Sequence, residues 1–357
     1  MVADYIKPAI GAAAYGAMAR NCGILSFIPT TVSGSNKQAW DISSQKADLD
    51  TAVSNVLTAC LANSTINALR PDAAGSINVA VLGAATTAAL ANVQVPPTAL
   101  PTSSLLVELA VNIATLFTAW ETNIATVSGG LGNFIRNSIG AAAYQALAIN
   151  KGVSSVLKSG VETDLDDQVA AIMAACHANT NILALESSSE GAQNVEAIGA
   201  AVYALLANTG TDGLATSDYT ALAAVIYTTY QQAISVLGVN TDFCSSAAGA
   251  AAFAVMASNR GLYTAFVPHS IANDTVILGT TRAYIAACNA NSTFSGYGNS
   301  TAGSQLVKAI NAATAIALGN LDIESISNIV TVVPTTALTN AVNMVVALIT
   351  EINTAIS

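Results

Sequence analysis

Mainly apolar residues at i, i+3, i+4 and i+7 recur three times along this chain in the same setting. Val53, Val56, Leu57 and Cys60 form the first set, Val169, Ile172, Met173 and Cys176 the second, and Thr281, Tyr284, Ile285 and Cys288 the third. That spacing places each set on one face of a helix, with the cysteine as the last residue of the stripe. Each cysteine opens a repeated phrase: Cys60-Leu61-Ala62-Asn63-Ser64, Cys176-His177-Ala178-Asn179-Thr180 and Cys288-Asn289-Ala290-Asn291-Ser292. Leu90-Ala91-Asn92, Leu206-Ala207-Asn208 and Leu318-Gly319-Asn320 each begin 30 residues after their cysteine. The chain is a tandem triplicate.

Three further segments complete each copy. Upstream lie Ile10-Gly11-Ala12-Ala13-Ala14-Tyr15, Ile139-Gly140-Ala141-Ala142-Ala143-Tyr144 and Ala248-Gly249-Ala250-Ala251-Ala252-Phe253, running to Gly23, Gly152 and Gly261. Alanine favours helix and a glycine just past the end supplies a C-cap, so each reads as a helix of about three turns. Its small residues let a second helix approach closely, which places Gly11, Gly140 and Gly249 at helix crossings. Downstream, Gly75, Gly191 and Gly303 each stand 15 residues after the cysteine and open a third helix. The constant length predicts a rigid helix–turn–helix pair. A fourth helix is predicted over 105–127, 219–237 and 336–356, where Ile113, Leu116, Phe117, Trp120 and Ile124 share one face of the first copy.

The fold expected is therefore all-α, with three homologous bundle units of about four helices each over 1–130, 131–242 and 243–357. The polar run 33–38, an insertion in the first unit, belongs on a surface loop. Asp48-Leu49-Asp50 and Asp164-Leu165-Asp166 read as acidic first turns of the cysteine helices; the run Glu162-x-Asp164-x-Asp166-Asp167 reads as helix capping rather than a calcium loop, since the glycine and distal glutamate of an EF-hand are missing. A short strand is expected around 329–333, where Val and Thr cluster before Pro334. Whether the units form a pseudo-threefold body or a string is not encoded in the pattern.

Composition changes the picture. Hydrophobic residues make up 53% of the 357 and charged residues 9%, against a usual charged share of about 25%. Such a chain cannot cover its exterior with charge, so much of that exterior is expected to meet neighbours or lipid. The net charge of −10 and the scattering of 11 basic residues exclude direct nucleic-acid binding. Uncharged runs over 73–107, 219–241 and 325–350 raise a membrane reading, but prolines and frequent Ser, Thr, Asn and Gln interrupt them, which suits buried bundle helices better. The N-terminus has no basic stretch followed by an apolar one, so synthesis in the cytoplasm without a signal peptide is expected, and the Asn-x-Ser/Thr sequons carry little weight.

Candidate chemistry is thin. The five cysteines (three at the repeated position, plus Cys22 and Cys244) match neither a disulfide framework nor a metal knuckle, and read as reduced, buried thiols. His177 fills a variable slot of the repeated phrase, and adjacent Cys176 and His177 point about 100° apart on a helix, too far for a nucleophile–base pair. His269 follows Pro268 in a loop. Gly129, Gly130 and Gly132 read as a linker, and no hydrolase, metalloprotease or nucleotide-binding motif is present. The expectation is a non-enzymatic protein with no catalytic, cofactor-binding or metal-ligating residues. It packs with itself or with other subunits into a large particle such as a virion, shell, sheath or tube. A helical carrier of an apolar ligand or lipid is the second reading, and an integral membrane protein the third.

Overall fold

The three apolar stripes become three helices whose inner faces are sealed: all four members of each stripe are buried, Cys60, Cys176 and Cys288 included. In a computed structural model of the chain, residues 5–21, 42–70, 75–91, 103–128, 133–151, 163–186, 191–207, 218–237, 243–260, 271–298, 303–319 and 335–356 are described. Among them the fold is all-α, with fifteen helices and no strand. In chain order these are α1 (Ile6–Asn21), α2 (Ile42–Ala62), α3 (Ser64–Ala68), α4 (Gly75–Ala91), α5 (Ser103–Ser128), α6 (Phe134–Lys151), α7 (Thr163–Ala178), α8 (Thr180–Glu186), α9 (Gly191–Leu206), α10 (Asp218–Leu237), α11 (Phe243–Arg260), α12 (Ile271–Ala290), α13 (Ser292–Gly298), α14 (Gly303–Gly319) and α15 (Thr335–Ile356).

The helices pack in two closed circuits. Alanine-rich α1 lies against α4, α4 against α6, α6 against α9, α9 against α11, α11 against α14, and α14 returns to α1. Around these six runs a second circuit, α2, α5, α7, α10, α12 and α15, which closes from α15 back to α2. Burial separates the layers. Apart from Phe134 and Phe243 at helix starts, every described side chain of the inner six is buried or half-buried, whereas each outer helix keeps an exposed face. Ser138 Oγ donates to the Val195 carbonyl at 2.8 Å and Asn150 Nδ2 to the Leu206 carbonyl at 2.8 Å. These bonds, near the two ends of α6 and α9, make those helices parallel.

The predicted glycine crossings are present, and their partners come from elsewhere in the chain. A Cβ on Gly140 would stand 2.7 Å from Ile124 Cγ1 of α5 and 2.9 Å from Met173 Sδ of α7. On Gly249 it would meet Leu237 of α10 at 2.5 Å and Ile285 of α12 at 2.6 Å. On Gly11 it would collide with Ile356 of α15, near the far end of the sequence. Each fourth helix thus drives an Ile or Leu into the glycine notch of the next first helix, and the last one closes the circuit.

Three details depart from the sequence reading. Among the described residues each stretch of about four helices contains five, because a short helix (α3, α8 or α13) follows the repeated asparagine. Asp48 and Asp50 do not lie in a first turn, since α2 begins at Ile42, whereas Asp164 and Asp166 do lie in the first turn of α7. Asp50 instead neighbours the buried Tyr15 phenol. The strand expected around 329–333, the insertion at 33–38, the glycines at 129, 130 and 132, Cys22 and His269 lie outside the described residues.

The glycines allow a paired test. Gly140→Leu forces a side chain into the Ile124 and Met173 contacts, and is expected to cost about 2 kcal/mol or more. Gly83→Ala adds a Cβ where nothing lies within 4 Å, and should stabilise by about 0.5–1 kcal/mol through helix propensity. Denaturant titration of both variants checks the pair, and equal effects would refute the notch.

Candidate functional site

The repeated phrase is a corner. Asn63 Oδ1 accepts from the backbone N–H groups of Thr65 and Ile66 at 3.0 and 3.3 Å. Asn179 does the same for Asn181 and Ile182 at 3.1 and 3.2 Å, and Asn291 for Thr293 and Phe294 at 3.1 and 3.0 Å. Each asparagine is the N-cap of the short helix that follows, satisfying donors left over at its first turn. In the second copy the chain bends by 89° between α7 and α8. The bend swings Ile66, Ile182 or Phe294 into the core, each 0% exposed. The motif therefore specifies a turn.

The charged groups nearest to a site gather at one such corner. Glu186, at the end of α8, has a side chain only 3% exposed. Arg136 of α6 donates to its Oε2 from Nε and from Nη2, both at 2.7 Å. His177, at the end of α7, turns Nδ1 to the same oxygen at 3.1 Å and stands with Nε2 3.4 Å from Arg136 Nη2. A neutral ring that donates from Nδ1 and accepts at Nε2 satisfies both contacts, leaving neither nitrogen turned to a substrate. The equivalent positions are Lys7, Leu61 and Arg70 in the first copy and Ser245, Asn289 and Gly298 in the third. There Ser245 Oγ donates to Asn289 Oδ1 at 2.7 Å. The three copies fill this corner with three different sets of side chains, and in the second it is an ion-paired joint between α6, α7 and α8. The periodicity showed His177 only as a helix-end residue; its partner Glu186 was invisible because the bend that brings it back was not read.

A second polar cluster joins α5, α6 and α7. The Tyr144 phenol donates to Asp166 Oδ1 at 2.6 Å and accepts from Asn123, whose Nδ2 also reaches the Asp166 carbonyl at 2.9 Å. Trp120 stacks on the Tyr144 ring, centroids 4.5 Å apart. A signal for this cluster was available. Tyr15 pairs with Asp50 and Tyr144 with Asp166, while the third copy has Phe253 with Leu278. Phenol and carboxylate are kept or lost together. No protein family, curated protein or solved structure matches this chain.

A solvent-open groove of about 700 Å³ runs along α5, lined by Val111, Ala114, Thr115, Thr118, Thr122 and Asn123 among others. Thr115, Thr118, Thr122 and Thr126 each donate their hydroxyl to the carbonyl four residues back, at 2.7 to 2.9 Å. The groove thus presents methyl groups and spent hydroxyls, with Asp166 its single charge. Among the described residues no group of three His, Cys, Asp or Glu could hold a metal ion. The thiols are guarded as well. Burial pushes Cys60, Cys176 and Cys288 from 9.0 up to about 12, with the Glu186 carboxylate adding to the effect on Cys176. Cys244 occupies the slot of Ile6 and Ile135 and is buried like them. Burial first, and the Asp50 and Asp166 neighbours after it, hold the Tyr15 and Tyr144 phenols above their ordinary range.

Raised values in the folded state mean that the neutral thiols are favoured by folding. Their contribution is complete below pH 9 and is lost as pH climbs from 9 toward 12, at up to about 1.4 kcal/mol per pH unit per thiol. Denaturation at pH 8 and pH 10.5 should show a steep loss, and replacing Cys60, Cys176 and Cys288 by Ala should flatten it; an unchanged slope would show the thiols are not shielded. Arg136→Met should cost about 2 kcal/mol, less than breaking a fully enclosed pair because Arg136 and His177 retain water contact. A double-mutant cycle with Glu186→Gln checks this, and a coupling below about 0.5 kcal/mol would refute the joint.

Proposed function

We propose that the chain is a non-enzymatic structural protein. On this reading it comprises three homologous units, 1–130, 131–242 and 243–357, closed head to tail into a pseudo-threefold ring. Such rings associate with one another, or with other subunits, in a large particle such as a virion, shell, sheath or tube. The observation that carries the reading is the outward face of the fourth helices. Of the exposed residues described on α5, α10 and α15, only Glu108 is charged, with Glu121, Asp218 and Glu351 half-buried; the rest of the exposed residues are Thr, Ser, Asn, Gln, Ala and Val. They recur every three or four residues, as in Thr115, Thr118 and Thr122, in Ala224, Thr228 and Gln231, and in Ala347, Thr350 and Thr354. Small neutral side chains allow close lateral packing and leave few charges to desolvate on contact.

Triplication fits that role, because one chain then offers three quasi-equivalent contact faces. A carrier of an apolar ligand is the alternative. The groove on α5 gives it little support, being open to solvent rather than enclosed. The membrane reading rests on one described helix, Ser104–Val127, or two if the bent pair α7–α8 is counted as a span. In the first of these, 39% of the apolar window is packed inside the protein. Light scattering and negative-stain microscopy of the purified chain in detergent-free buffer test the proposal. Ordered rings, tubes or sheets are expected; a clean monomer at every concentration would overturn it.

A further inference from the structure

The closed inner circuit has an inside. On α6 the notch glycine Gly140 faces outward, against Ile124 of α5 and Met173 of α7. Ala142, Gln145 and Ile149 stand about 140–200° around the helix from it, and all three are half-buried. On α9, Asn194 faces outward and accepts from the Tyr230 phenol of α10 at 2.6 Å. Glu196, Gly199 and Tyr203 stand about 140–200° from it and are half-buried as well. Because the circuit closes, these sides face its interior. One bond spans that interior. Asn311 Nδ2 of α14 donates to Glu196 Oε2 at 3.3 Å, although α11 lies between α14 and α9 in the circuit. Helices α10 and α12 pack on the outside of α11, so the two side chains meet on its inner side. A Cβ on Gly83 of α4, the position equivalent to Gly199 and Asn311, would meet nothing within 4 Å. Half-buried side chains are ones that water touches. The inner circuit therefore encloses a water-accessible lumen, about 10 Å long between Glu196 and Tyr203 alone.

Opposite charges face this lumen at equivalent positions. Ala80, Glu196 and Lys308 each stand 20 residues after their repeated cysteine, on α4, α9 and α14. Glu196 and Lys308 are half-buried, and among the described residues no ion pair joins them. Packing requires neither charge, since α4 closes against α1 and α6 with Ala80 in the same place. We infer that this level of the lumen is a binding site for a small zwitterion, with an ammonium and a carboxylate on a short chain. The Glu196 carboxylate takes the ammonium and Lys308 takes the carboxylate. Ala80 and Gly83, one turn apart, leave the third side free for the body of the ligand. Charge-assisted hydrogen bonds are the strong ones, and inside a protein they gain further over bulk water. A ligand with a single charge leaves the other wall group unmatched, and an apolar one desolvates both without return. The site rests on the packing circuit and not on self-assembly.

The test uses the full chain in two steps. The first asks for the lumen itself. Gly83→Cys places a thiol in the open space, and aminoethyl methanethiosulfonate should modify it at least about tenfold faster than the buried Cys60, Cys176 and Cys288, with the wild-type chain as background. The second asks for the ligand. Titration calorimetry with glycine, β-alanine and γ-aminobutyrate varies the distance between the two charges, and propylamine and propionate serve as single-charge controls. At least one zwitterion is expected to bind, and neither control. Glu196→Gln keeps an acceptor for Asn311, and Lys308→Met keeps the length of the side chain. Each should weaken binding at least about tenfold with an unchanged melting temperature. A Gly83→Cys thiol as slow as the buried ones would overturn the lumen and the site with it. A reactive thiol without zwitterion binding would overturn the site, as would binding that both substitutions leave intact.

Discussion

The structure depends on how closely a fourth helix can approach the first helix that follows it around the circuit. At Gly11, Gly140 and Gly249 the absence of a side chain lets Ile356, Ile124 and Leu237 lie directly on the helix backbone. Burying one such side chain contributes about 1.5–3 kcal/mol, and the notch also fixes the register of the two helices, since a shift by one residue would set alanine under the knob. The contact of Ile356 on Gly11 joins segments more than 340 residues apart in sequence. It ties the end of outer helix α15 to α1, at the place where α14 of the inner circuit also returns to α1.

Small residues set the other dimension. Ala14, Ala19, Ala88, Ala143, Ala201, Ala252 and Ala313 are all 0% exposed, so inner helices meet nearly backbone to backbone. Helices this close gain dispersion from many short contacts but have few side chains with which to specify rotation. The larger rings supply that information. Tyr15, Tyr144 and Phe253 stand four residues after their notch glycines, and the first two carry a phenol that must find a partner once buried. Asp50 and Asp166 provide it from the neighbouring helix and lock the rotation. In the third copy Phe253 carries no phenol, and Leu278 takes the carboxylate's place.

Much of this architecture was legible because repetition makes weak signals add. The stripe ending in Cys60, Cys176 and Cys288 and the notch glycines could each be read from three aligned copies, and burial agrees with both. The short helices were missed for a specific reason: Asn-Ser and Asn-Thr following a helix read equally well as its end or as the cap of the next one. The start of α2 was misplaced because Asp48 and Asp50 resemble a first turn, whereas Asp50 is kept as the partner of Tyr15. The Arg136, His177 and Glu186 joint was illegible, since its three members converge only after the 89° bend between α7 and α8.

The same repetition bears on function. Where side chains face the core, the copies agree in burial. Where they face the corner, Lys7, Arg136 and Ser245 differ in charge, as do Arg70, Glu186 and Gly298. A reacting site needs a fixed set of groups in a fixed geometry, and a corner that tolerates three unrelated sets imposes no such demand. What the copies preserve outside the core is the near absence of charge on the fourth helices. A free surface has no physical reason to exclude Lys and Glu, which improve solubility at little cost to the fold. A surface that is repeatedly desolvated does, because each buried charge must be matched or neutralised. On the reading proposed above, the constraint shared by the three copies is one of contact between faces.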